Sequence, residues 1–101
     1  MTTESEIRIT RSEENNKGRY EARLPEVDAV GELTYSRMSA EAVIADHTSV
    51  PDELRGRGVG MALVEQLIAD ARGEGFKIVP LCPYVNAQYG KHPEWADVMT
   101  G

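Results

Sequence analysis

At 101 residues, with 41% apolar and 28% charged side chains, the chain has the composition of one soluble globular domain with a single modest core. Its net charge of −6 argues against nucleic acid as a partner, since a phosphate-binding surface demands the opposite sign. No apolar run approaches membrane-spanning length, and one cysteine makes no internal disulfide.

The start over residues 2–6 is polar and acidic, unlike a signal peptide, and the lone cysteine fits a reducing compartment, so a cytoplasmic location is expected. Ile7 and Ile9 alternate with Arg8 and Thr10, and Tyr20, Ala22 and Leu24 alternate with Arg19, Glu21 and Arg23. Both segments read as half-buried strands, joined by a turn at Asn15, Asn16, Lys17 and Gly18. Residues 25–28 make the next connection, and residues 30–38 form a third strand with Leu33 and Tyr35 on one face. Residues 39–41 turn the chain into a fourth strand over 42–50, where period-two alternation groups His47 with Val43, Ala45 and Ser49.

That strand delivers the chain to a loop with three glycines in five residues, Gly56, Gly58 and Gly60, followed by an amphipathic helix. Gly60, Leu63, Val64, Leu67, Ile68 and Ala71 follow the i, i+3, i+4, i+7 pattern, which leaves Glu65, Gln66, Asp70 and Arg72 in water. A helix start presents unpaired N–H groups and positive potential; bare glycines let a phosphate approach, and Arg55 and Arg57 add charge. The pattern describes a pyrophosphate cradle, with a plain structural turn as the other reading. A kinase-type phosphate loop would need Lys and Ser or Thr where Met61 and Ala62 stand, and a dinucleotide fingerprint needs different glycine spacing and a longer chain.

Gly73 and Gly75 are placed to end the helix, and residues 76–81 read as a buried strand. Strand, helix and strand then run parallel with a right-handed crossover, so the strand ends near Val50 and Leu81 share the sheet edge that ligands favour. Residues 83–90 and 92–98 read as short helices, with Trp95 packing the C-terminal segment onto the domain. Cys82, His47 and His92 lack zinc spacing, so no metal is expected.

Arg55, Gly58 and Gly60 match the Arg/Gln-x-x-Gly-x-Gly/Ala acetyl-coenzyme A loop of the GNAT acetyltransferases. With His-Thr at 47–48, Arg-Gly-Arg-Gly at 55–58, Pro-Leu-Cys-Pro at 80–83 and His-Pro-Glu-Trp at 92–95, the chain resembles the small single-domain YjdJ-like branch of that superfamily over about residues 20–99. The resemblance implies one domain over 1–101 of the α/β (α+β) class: a mixed, mainly antiparallel five-stranded sheet with a central βαβ unit that binds acetyl-coenzyme A, and short C-terminal helices. It points to Thr48, Val50, Arg55, Gly56, Arg57, Gly58, Val59 and Gly60 as coenzyme contacts, with Tyr84, Asn86 and Tyr89 from the helix beyond.

Cys82 and His47 are the catalytic candidates. Each has a plain alternative: a buried free cysteine is usually a small apolar residue, and a strand histidine is usually a packing residue. As chemistry, the thiol would take the acyl group or shuttle a proton, and the imidazole would receive one. Larger relatives use an acidic residue and a tyrosine; here Asp46 and His47 occupy the strand, and Tyr84 or Tyr89 would fill the tyrosine's place, Tyr89 being the more similar. Only about twenty residues follow Leu81, so the acceptor pocket should be open or completed by another subunit, in a monomer or weak homo-oligomer. The reading is an N-acetyltransferase acting on a small-molecule or peptide amine, directly or through Cys82; the alternative is a coenzyme A or acyl-coenzyme A binding or sensing module without turnover.

Overall fold

The four period-two segments form antiparallel strands in chain order: β1 (Arg8–Glu14), β2 (Lys17–Leu24), β3 (Val27–Ser39) and β4 (Ala42–Ser49). The computed structural model describes residues 7–100; residues 2–6, on which the expectation of location rests, lie outside them. Asn15 and Asn16 make the first turn alone, at φ 53° and 66°, a left-handed pair that asparagine tolerates and that suits strand twist. The second turn uses only Pro25 and Glu26, so β3 starts at Val27 rather than near Val30. Helix α1 (Val59–Glu74) then crosses over to β5 (Lys77–Val79), which lies parallel to β4 at the end of a sheet ordered β1-β2-β3-β4-β5. Strand β5 is shorter than residues 76–81 because Pro80 has no N–H to continue the ladder. Helix α2 (Pro83–Lys91) and a 3-10 turn (Pro93–Val98) follow, and Thr100 N–H bonds the Ile78 carbonyl at 2.8 Å along the outer edge of β5.

One face of the sheet holds the core. Tyr20, Ala22, Leu33, Tyr35, Val43, Ala45 and Ile78 are fully buried there against Leu63, Val64, Leu67, Ile68 and Ala71 of α1. Gly75, at φ 82°, ends α1 in the left-handed conformation, while Gly73 stays inside it. Trp95 stacks on His92 at 4.5 Å and is buried, and Arg72 of α1 clasps Asp97, which fixes the C-terminal segment to the domain. The opposite face carries Ser12, Lys17, Arg19, Glu21, Thr34 and Ser36, all exposed or half-buried.

Charged groups also occur under α1. Arg11 bonds Asp70 and Glu74, Tyr20 donates to Asp70 at 2.7 Å, and Tyr35 donates to Glu13 at 2.7 Å. Arg37, with the Tyr35 hydroxyl, holds the Glu13 carboxyl down at about 2, against an ordinary 4.5. A carboxyl depressed on folding contributes stability above its unfolded value and loses it as pH falls through the folded one. Urea midpoints should therefore fall more steeply with acid between about pH 4.5 and 2 in the native chain than in Glu13→Gln; parallel curves would show that this network contributes nothing.

Candidate functional site

Strands β4 and β5 pair only over Ala42–Ile44 and Lys77–Val79, and the Cys82 N–H adds one bond to the Ala45 carbonyl at 2.8 Å. Beyond Ala45 the strand pair is open, and the mouth faces the start of α1.

Just there β4 carries a bulge: Tyr35 pairs with Ala45 and Thr34 with His47, leaving Asp46 as an extra residue. The extra residue resets the alternation. Ala45 and Thr48 face α1, with Thr48 opposite buried Leu33, while His47 sits opposite Thr34 on the other face and is exposed. The grouping of His47 with Val43 and Ala45 is thus corrected by one bulge residue. Asp46 joins it on the open face, where its Oδ2 accepts from Ser36 Oγ at 2.7 Å.

Gly56 and Gly58 lie at φ 76° and 77°, a left-handed conformation that a Cβ disfavours, and a Cβ on either would project into open space. Gly58 is the N-cap of α1 and no side chain caps the helix, which leaves its first-turn N–H groups available to an anion. Gly60 is bare for a different reason. A Cβ there would stand 2.9 Å from the Tyr84 hydroxyl, so this glycine seats the tyrosine ring from α2 against the helix start. Partial desolvation against the helix start raises the Tyr84 phenol above its ordinary value, and like any phenol it carries its proton at neutral pH.

Thr48, Val50, Arg55, Gly56, Gly58, Val59, Gly60 and Tyr84 line one cavity of about 500 Å³, joined by Leu54 and Met61, which the sequence reading did not include. Arg57 lines the adjoining groove beside Ile9 and Met61. Asn86 is exposed and Tyr89 is half-buried against the core, both outside the cavity lining. Cys82, at the N-terminus of α2, is 1% exposed, and its Sγ lies 3.3 Å from Thr48 Oγ1. The thiol's hydrogen-bond partner is therefore Thr48, not His47. Thr48 touches both the cavity and the thiol, a link that no spacing in the sequence announces. Among the described residues, no three His, Cys, Asp or Glu side chains are grouped to hold a metal, and no helix is long and apolar enough to cross a membrane.

A mainly antiparallel sheet, whose one parallel pair is joined by a glycine-started helix and then splays apart, defines the class of GCN5-like folds. The family model for GCN5-related N-acetyl-transferases matches residues 19–98, and the chain belongs to that family. The chain is also similar to a GCN5-like protein from Staphylococcus aureus whose solution structure is known and whose N-acetyltransferase activity is itself an inference. The two share 31% identity over 96% of this chain and 91% of that one, with a TM-score of 0.69. No curated protein matches the chain.

Proposed function

We propose that the protein is an acetyl-coenzyme A-dependent N-acetyltransferase. The observation that carries this reading is one continuous cavity running from the uncapped, glycine-started helix to Thr48, which touches the buried Cys82 thiol. The first-turn N–H groups of α1, with Arg55 and Arg57 beside them, would hold the pyrophosphate, and Val50, Leu54 and Met61 offer apolar contact to the adjoining arm. When bound, acetyl-coenzyme A supplies a thioester, an acyl group already activated for transfer.

His47 faces the open side of the sheet, so its partner is the acceptor amine. It takes the proton that the amine nitrogen loses as that nitrogen bonds to the acyl carbon and the carbon–sulfur bond breaks. The Tyr84 hydroxyl returns a proton to the departing thiolate. In a relayed version Cys82 Sγ bonds the acyl carbon as the coenzyme's carbon–sulfur bond breaks, the thiol proton passes to the departing thiolate, the amine then displaces Sγ from the acyl carbon, and Thr48 Oγ1 orients the thiol throughout.

Calorimetric titration with acetyl-coenzyme A tests the cradle, because the Arg55 side chain is 73% exposed and its attraction to phosphate is open to screening. Affinity should weaken steadily as salt rises, and charge reversal at Arg55 and Arg57 together should reproduce the high-salt value. Salt-independent affinity would place the ligand in a buried apolar site elsewhere. Binding without release of coenzyme A thiol, whatever amine is supplied, would instead identify a binding module.

A further inference from the structure

The two edges of the sheet differ. Thr100 bonds the outer edge of β5, whereas no described residue pairs with the outer edge of β1. The turn at Asn15 and Asn16 fixes which groups that free edge offers. Glu14 and Lys17 flank a two-residue turn and so exchange their backbone bonds, as do Ser12 with Arg19 and Thr10 with Glu21. Ile9, Arg11 and Glu13 therefore turn their N–H and C=O groups outward, where another strand can take them.

The charges on β1 fall into two kinds. Arg11 and Glu13 are engaged within the protomer, Arg11 with Asp70 and Glu74, and Glu13 with Arg37. Arg8 and Glu14 stand exposed at opposite ends of the strand, on the face turned away from α1, and have no ion-pair partner among the described residues. Arg8 lies opposite another arginine, Arg23. Glu14 lies opposite Lys17, whose ammonium donates instead to Ser36 Oγ at 3.0 Å.

We propose that a second copy of this chain pairs with β1, antiparallel and centred on Arg11, in a two-fold symmetric dimer with one continuous sheet. Centring on Arg11 overlaps the whole of β1 and sets Arg8 of each copy against Glu14 of the other, while Ile9 and Glu13 exchange backbone bonds across the axis. Arg8 and Glu14 then form the pairs without backbone bonds, whose side chains come closest. Neighbouring registers lose this match: centring on Thr10 sets Arg8 against Ser12, and centring on Ser12 sets Glu14 against Thr10. Arg11 meets its own copy, but each guanidinium already lies among Glu13, Asp70 and Glu74 of its own chain, which neutralise it. Both α1 helices lie on one face of the joined sheet, and the β4–β5 mouths lie at its far ends. Each site is then built by one chain alone, and an acceptor reaches it from solvent. Nothing in the pairing depends on which reaction the site performs.

Sedimentation equilibrium of the full chain over a range of concentrations tests the dimer. The native protein should pass from monomer to dimer mass as concentration rises, since one strand edge buries a modest area. Arg8→Glu and Glu14→Arg each replace two attractions by two repulsions and should weaken the dimer by roughly tenfold or more. Mixed in equal amounts, the two variants regain both attractions in a heterodimer, and the double variant regains them in a homodimer, so association should recover in each case. Circular dichroism should stay native throughout, because both positions are exposed. A native chain that remains monomeric at every concentration overturns the dimer. A dimer that neither substitution weakens, or single variants that fail to associate on mixing, overturns the pairing through β1.

Discussion

Gly58→Asp should lower affinity for acetyl-coenzyme A by more than a hundredfold, about 3 kcal/mol, while leaving the protein folded. Position 58 sits at φ 77°, and an added Cβ meets nothing within 4 Å, so the cost to folding is conformational alone. Aspartate is among the residues that enter this region most readily, which keeps that cost near 1 kcal/mol. The cost to binding is larger, because the carboxylate occupies the space at the helix start and sets a negative charge against the pyrophosphate. Gly58→Ala separates the two effects: it keeps the backbone penalty without the charge and should lose much less. Gly60→Ala should act by a third route, pushing the Tyr84 hydroxyl out of its seat, and so should alter turnover more than affinity. A folded Gly58→Asp protein that titrates like the native chain would remove the cradle from the mechanism.

The loop and its helix were legible because both rest on local rules. Alternation at Tyr20, Ala22 and Leu24, heptad-like spacing from Leu63 to Ala71, and glycines before the first apolar turn each report on neighbours in sequence. What escaped depends on pairing. From Asp46 to Ser49 the strand is wholly polar, so its hydropathy carries no parity, and the extra residue that turns His47 to the open face shows only when Thr34 and Tyr35 lie beside it. The same holds for Gly60, read as bare for a phosphate: the ring that needs the space comes from α2, 24 residues later. Asp70, left in water by the helix pattern, instead accepts from Arg11 and Tyr20 of the sheet, a pairing that spacing along the helix does not show.

The second large effect concerns Cys82. If the thiol carries the acyl group, mixing the protein with acetyl-coenzyme A should give a species heavier by one acetyl group, labile to hydroxylamine and absent in Cys82→Ala. Because the thiol bonds Thr48, Thr48→Val should slow formation of that species by removing the hydroxyl that orients it. Because His47 lies on the opposite face, His47→Ala should leave formation intact and block discharge to the amine, so the acetylated protein should accumulate and turnover should fall by roughly 10²-fold or more. Time-resolved intact-mass measurement distinguishes the two variants by sign, one depleting the adduct and the other enriching it. Under direct transfer no adduct forms in any variant, Cys82→Ala keeps its turnover, and His47→Ala alone is impaired. Native turnover in both Cys82→Ala and His47→Ala would return the two residues to packing and surface roles, and leave the chemistry to the amide groups around the splayed strands.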